Sequence, residues 1–146
     1  MYCREITYGS PSYAEAVALR DLVLREPLDL EFSPEQISDE YRVSHIGAFD
    51  DNDRLIGILI GQPSDKKNDT IRIRQVAVDP QLQSQGIGGR LMQYAEVFFQ
   101  QGGFTNSTLN SRVVAARFYE KINYKVVGDE FFEVGIPHLK MTKRLV

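Results

Sequence analysis

Several things are scarce in this chain of 146 residues, and each scarcity removes a class of function. There is one cysteine, Cys3, which excludes an internal disulfide. Together with only two histidines, His45 and His138, it leaves a zinc site short of ligands, so no metal is expected. No apolar run approaches the ~20 residues of a helical membrane span, and the N-terminus lacks a basic-then-apolar signal pattern. A cytoplasmic protein without membrane contact is the expectation. Positive charge is also in short supply: 17 Lys and Arg against 20 Asp and Glu give a net charge of −3, which argues against a broad nucleic-acid surface. What is present is ordinary for a folded protein, with 42% hydrophobic and 25% charged residues, and the length suits one domain, 1–146.

Residues 2–8 alternate loosely and read as a first strand. A helix is expected from Ser10-Pro11-Ser12, with Ser12 and Glu15 spaced as a capping box, an apolar face of Ala16, Leu19, Leu22 and Val23, and an end at Pro27. Ser33-Pro34-Glu35-Gln36 offers a second N-cap, a proline at the first helical position and a Gln to close the box, predicting a short helix to about Tyr41. Strand-like segments 45–49 and 54–62 flank Asp50-Asp51-Asn52-Asp53, a hairpin signal. A polar loop follows, then a strand from Ile71 to Val78 that Asp79-Pro80 stops. A helix from near Gly88 carries Leu91, Ala95 and Phe98 on one stripe, and Gly102-Gly103 ends it. Thr105–Leu109 reads as a strand. Ser111 is the expected cap of a helix with Val114, Phe118 and Ile122 on its apolar face. Two closing strands, 125–127 and 139–145, are separated by a loop from Gly128 to His138. The order β-α-α-β-β-β-α-β-α-β-β predicts an α/β (α+β) protein with a mixed sheet covered by helices.

The densest signal is Gln83-Ser84-Gln85-Gly86-Ile87-Gly88-Gly89, lying between a strand and a helix. Such a turn lets backbone approach a ligand and points the first free N–H groups of the helix at it, which is an anion site. A P-loop would carry a lysine after its glycines, and none is here. A dinucleotide fingerprint would carry a third glycine where Leu91 stands. The third reading is Gln-x-x-Gly-x-Gly in the context Val76-Ala77-Val78-Asp79-Pro80-Gln81-Leu82. About thirty residues later comes Ala115-Ala116-Arg117-Phe118-Tyr119-Glu120-Lys121-Ile122-Asn123-Tyr124.

These two motifs, in this order and spacing, resemble those of the GNAT (Gcn5-related N-acetyltransferase) superfamily, and the resemblance covers essentially the whole chain. It implies the GNAT fold: a mostly antiparallel mixed sheet of six to seven strands with about four helices. Asn123 stands where the family usually has glycine; Asn tolerates the left-handed backbone next best, so the helix end is expected to survive. Leu109-Asn110-Ser111-Arg112 and Gly135-Ile136-Pro137-His138-Leu139-Lys140-Met141 look like phrases of small bacterial acyltransferases of unassigned substrate.

The resemblance implies acetyl-CoA as co-substrate and a primary amine of a small molecule or peptide as acceptor. The diphosphate would rest on Gln83, Ser84, Gln85, Gly86, Ile87, Gly88, Gly89 and Arg90, where the helix dipole favours an anion. Gln75, Val76, Ala77 and Val78 match the strand that pairs with the pantetheine arm, and Asn110 and Tyr119 match the far wall of the same cleft. Tyr119 matches the tyrosine that meets the departing thiolate. Phe118 belongs to the predicted apolar stripe, which leaves Tyr119 free.

The base is open at this level. Where some family members carry a glutamate on the motif strand, this chain has Arg72. Asp39, Glu40, His45, Glu133 and His138 remain, with His138 favoured by its place in the Gly-Ile-Pro-His phrase. Arg72 and Arg74 read as a solvated strand face or as an acceptor-carboxylate site, and Cys3 as an ordinary strand residue. Leu28, Leu30 and Phe32 fall in the acceptor-lid region, though three apolar residues there also suit core packing. The alternative to an enzyme is an acyl-CoA-binding or sensing module without a base. The family is often dimeric, so a homodimer is one expectation.

Overall fold

The computed structural model describes residues 1–30 and 32–145. The strands are β1 (Tyr2–Ile6), β2 (Ser44–Phe49), β3 (Leu55–Pro63), β4 (Thr70–Val78), β5 (Asn106–Arg112), β6 (Lys125–Glu133) and β7 (Ile136–Arg144). The helices are α1 (Pro11–Arg20), α2 (Pro34–Ile37), α3 (Ile87–Gln101) and α4 (Ala116–Lys121). The sheet is seven-stranded in the order β1-β2-β3-β4-β5-β7-β6. β4 and β5 run parallel, while β1–β2, β2–β3, β5–β7 and β6–β7 are antiparallel. The expected element order and mixed sheet are therefore present. Among the described residues no helix is long and apolar enough to cross a membrane.

The chain packs as two compact units: Met1–Gln62 with Gln75–Ala95, and Pro63–Arg74 with Glu96 onward. In the first unit, Ile46, Ala48, Ile58, Leu59 and Leu91 are fully buried. Burying each of these Ile or Leu side chains contributes about 2 kcal/mol. α3 sits on β3 at Gly57, where an added Cβ would lie 3.4 Å from both Ile87 Cγ2 and Leu91 Cδ2. An added methyl would make ordinary van der Waals contact there.

Several local signals act as read. Ser33 and Gln36 form the reciprocal capping box of α2. The Asp50–Asp53 turn joins β2 to β3, with Asp50 Oδ1 accepting from the N–H groups of Asn52 and Arg54 at 2.9 and 3.0 Å. α3 ends at Gln101, and the left-handed Gly103, φ 99°, follows it.

Other expectations are corrected. The cap of α1 is Ser10, whose side chain accepts from the Tyr13 N–H, because Pro11 takes the first helical position. A π-helical turn, Asp21–Arg25, continues α1 and shifts the helical phase, so Leu22 swings outward and is 47% exposed. Pro27 lies inside a 3₁₀ turn, Glu26–Leu28, that follows. α2 stops at Ile37, and a separate 3₁₀ turn covers Glu40–Arg42. On α3 the buried residues are Ile87, Leu91, Met92, Ala95 and Phe99; Phe98 is only half-buried.

In the second unit, β5 runs on through Ser111, so Ser111 is a buried strand residue and caps no helix. Its hydroxyl donates to the Arg112 carbonyl at 2.8 Å. A 3₁₀ turn, Val113–Ala115, then sets the phase of α4. The helix buries Ala116 and Tyr119, while Val114 is 90% exposed and Phe118 38%. The expected face is thus inverted. β6 and β7 form a hairpin closed by Val134 and Gly135 alone, where a long loop was expected. Gly128, φ 78°, lies in a register shift between Val127 and Phe131 that hides the strand pattern in the sequence.

Both hairpin turn residues have positive φ, 46° at Val134 and 74° at Gly135. A β-branched residue there is strained. Val134→Gly is expected to raise stability by about 1 kcal/mol, read as an upward shift in the urea midpoint. A lowered midpoint would contradict the strain.

Candidate functional site

The first unit holds the glycine turn. β4 ends at Val78, and Asp79 redirects the chain. Its N–H donates to the Ile56 carbonyl at 2.9 Å, and its carbonyl accepts from the Leu82 N–H at 2.9 Å. Its buried carboxylate accepts from the Gln81 N–H at 2.9 Å and pairs with Arg54, the residue just before β3. With Pro80 as the first residue of the 3₁₀ turn Pro80–Leu82, this is an Asp-Pro cap, and it is the signal that could have found Asp79 in the sequence.

Beyond the cap, the Gln83 side-chain amide donates to the Val78 carbonyl at 3.3 Å and folds the loop back on its strand. Ser84 and Gly86 are both left-handed, φ 68° and 81°. Gln83, Ser84, Gln85 and Gly86 are exposed, Ile87 is buried, and Gly88 and Gly89 are half-buried before exposed Arg90. The first helical bond runs from the Arg90 N–H to the Gly86 carbonyl at 3.2 Å. The N–H groups at the start of α3 therefore stand free for an anion. A Cβ built on Gly86 or Gly89 would meet nothing within 4 Å, so the space beside these two residues is open. A diphosphate fits this backbone, with Arg90 as the cation at hand.

Leading into the turn, Val76 and Val78 are half-buried and Ala77 is buried. Gln75 is half-buried with φ 57°, an unusual backbone state inside a strand. Arg72 is half-buried and Arg74 exposed. Cys3, in β1, has its thiol pushed up by burial, which Arg90 and the N-terminus only partly offset, so it is no activated nucleophile.

Two base candidates, Glu40 and His45, meet in the first unit, together with Arg20 and Tyr13, which no motif singled out. The Glu40 carboxylate accepts from both terminal nitrogens of buried Arg20, at 2.7 and 2.6 Å, and from the Tyr13 hydroxyl at 2.8 Å. Burial works against the carboxylate, but the Arg20 and Tyr13 hydrogen bonds outweigh it and hold Glu40 below the usual carboxylate range. A carboxylate so occupied is a poor base. Burial pushes the Tyr13 hydroxyl up, and its bond to Glu40 pushes it further. His45 is buried, with Nε2 2.8 Å from the Glu40 carbonyl. Burial lowers its pKa, against the pull of that carbonyl and the Glu40 charge. Asp39 is exposed. Phe32, of the expected lid, lies between the Arg20 and Arg25 guanidinium groups at 4.6 and 4.5 Å. Its N–H donates to Asp21 Oδ1 at 3.0 Å. Leu28 is half-buried and Leu30 is exposed.

The second unit brings together Asn110, Glu133 and His138. His138 is buried; its Nδ1 lies 2.7 Å from the Ile136 carbonyl, which can only accept, so Nδ1 carries the proton. Nε2 faces Glu133 Oε2 at 3.5 Å, and Asn110 Nδ2 lies 3.5 Å from Glu133 Oε1. Tyr119, 9% exposed, is pushed up to about 12 by burial alone. Its ring packs edge-on to Phe118 and Tyr124. Tyr124 is itself buried and shares a 2.8 Å hydrogen bond with Ser107. Asn123 has φ 77°, the left-handed state expected of it. Among the described residues no three His, Cys, Asp or Glu side chains gather as a metal site.

The model of the acetyltransferase (GNAT) domain family matches residues 26–145. The uncharacterized N-acetyltransferase YjcF of Bacillus subtilis is 36% identical over 73 residues, 49% of this chain and 52% of that protein. A candidate N-acetyltransferase of known structure from Lactobacillus plantarum is 27% identical, covers 100% of both chains and superposes with a TM-score of 0.86. An aminoglycoside 6'-N-acetyltransferase complexed with coenzyme A shares the fold at 18% identity and a TM-score of 0.81, covering 100% of this chain and 98% of that one. The first curated relatives are matched over about half their length. A strand, a left-handed glycine turn and a helix with free N-terminal amides, carried on this sheet, define a GNAT fold. The chain belongs to the GNAT acetyltransferase family.

The buried cluster sets the acid response. The unfolded chain protonates its histidine near the ordinary value of about 6.5, whereas folded His45 resists. Its contribution is complete above that value and shrinks as pH falls below it. Glu40, held low, adds stability that is lost as pH falls through its depressed value, below about 4.5. The melting temperature is therefore expected to fall in two steps on acidification, and His45→Gln to remove the upper one. A wild-type melting temperature that stays level from pH 7 to 5 would contradict this. Glu40→Ala leaves Arg20 buried and unpaired and is expected to cost about 3 kcal/mol in urea unfolding.

Proposed function

We propose that this chain is an acetyl-CoA-dependent N-acetyltransferase, a single domain over 1–146 acting in the cytoplasm on a primary amine of a small molecule or peptide. The observation that carries this reading is the left-handed Ser84–Gly86 turn opening the N-terminus of α3 directly after β4. When bound, acetyl-CoA supplies the carbonyl carbon that a neutral amine attacks as the carbon–sulfur bond breaks. The backbone from Gln83 to Arg90 holds the diphosphate, and the main chain of Gln75–Val78 pairs with the pantetheine arm. One of those strand N–H groups stabilises the developing oxyanion.

Tyr119 is assigned to the leaving thiolate. A phenol held near 12 stays protonated throughout the working range of pH. An ordinary thiol has a pKa of about 8.5, so complete proton transfer from Tyr119 is uphill by roughly three to four units. Its role in this reading is a hydrogen bond that stabilises the thiolate as charge develops. His138 is the base: with Nδ1–H committed to Ile136, the neutral ring offers Nε2, and Glu133 is placed to hold the imidazolium that results. A second reading, an acyl-CoA-binding or sensing module, draws support from Arg72 on the motif strand and from Glu40's engagement with Arg20.

Calorimetry is expected to show binding of CoA and acetyl-CoA but not of ATP; ATP binding without CoA binding would sink the assignment. A screen of amines that follows free thiol separates enzyme from sensor. Tyr119→Phe is expected to lower kcat about 100-fold with KM for acetyl-CoA within twofold. His138→Ala should remove most of kcat. Unchanged rates in either variant would cancel that residue's role.

A further inference from the structure

Two unfavourable features coincide at one residue of β4. Gln75 holds φ 57°, the left-handed region that favours glycine, in the interior of a strand. Its side-chain Oε1 is also buried without any hydrogen-bond partner. Glycine would relieve the backbone and remove the orphaned acceptor together, so the fold alone gives no reason for glutamine here. A buried oxygen with a free lone pair is complementary to an N–H donor. The next three residues, Val76–Val78, lead directly to Asp79 and the anion-binding turn, so a ligand seated on that turn and extended along β4 runs past this carboxamide.

We propose that the Gln75 side chain is a ligand-contacting group, its Oε1 accepting a hydrogen bond from an amide N–H of the acyl donor's pantetheine arm. The inference rests on the acyl-CoA reading above. It adds a side-chain contact to a strand otherwise read through its backbone. The left-handed backbone is then the means of aiming the carboxamide, and the ligand supplies the partner that the protein does not.

The test uses the full-length protein, with calorimetric titration by CoA and by adenosine 3',5'-bisphosphate, which carries the nucleotide half without the pantetheine arm. Gln75→Gly is expected to raise the melting temperature of the free protein and to weaken CoA binding at least tenfold, leaving the bisphosphate within twofold. Gln75→Leu, which keeps side-chain bulk without the acceptor, should weaken CoA binding in the same selective way. CoA affinity unchanged in both variants overturns the contact while leaving the acyl-CoA reading intact. Equal loss for CoA and the bisphosphate also overturns it, by showing a general disturbance of the loop. If the wild-type protein binds no CoA, both readings fall.

Discussion

Asp79 uses every polar group it has to turn a strand into a helix. Its N–H and carbonyl bond Ile56 and Leu82, and its carboxylate serves Gln81 and Arg54. A buried carboxylate left without these donors would be costly, and here each oxygen has one. The loop after it owes its shape to this anchoring. Gln83 can fold back to Val78 only because the chain has already reversed, and the left-handed residues at 84 and 86 follow from a fixed starting point. Pre-set amides bind an anion without the cost of ordering a loop at the moment of binding.

Elsewhere, charge is used to hold structure. Arg20 and Glu40 lie twenty residues apart, and their pairing fixes the segment before β2 against α1. Phe32 is gripped by two guanidinium groups, so this residue of the lid region is anchored by cation–π contacts. In the second unit the corresponding tie is a polar one, from Asn110 through Glu133 to His138.

What the sequence disclosed follows the range of the interaction concerned. The Ser33–Gln36 box, the Asp79-Pro80 stop, the Gly102-Gly103 end and the left-handed Asn123 are all decided within a few residues, and all were readable. The glycine turn was legible for the same reason. Helical phase was not. A 3₁₀ turn at Val113–Ala115 rotates α4 and a π-turn rotates the chain after α1, so Tyr119 is buried where Phe118 was expected and Leu22 faces out. Glu40's engagement was equally invisible, since its partners Arg20 and Tyr13 carry no spacing that announces them. Glu133 and His138 looked unrelated until the hairpin closed by Val134 and Gly135 set them on facing strands.

Gly57 lies in the sheet beneath α3, and a methyl group added there would stand 3.4 Å from Ile87 Cγ2 and from Leu91 Cδ2, an ordinary van der Waals contact. Ile87 is also the first residue of that helix, next to the anion-binding turn. A methyl group introduced at position 57 is therefore accommodated without displacing α3. Position 57 is thus a size limit and not a glycine requirement: alanine fits beneath the start of α3, and bulk beyond a methyl meets Ile87 and Leu91.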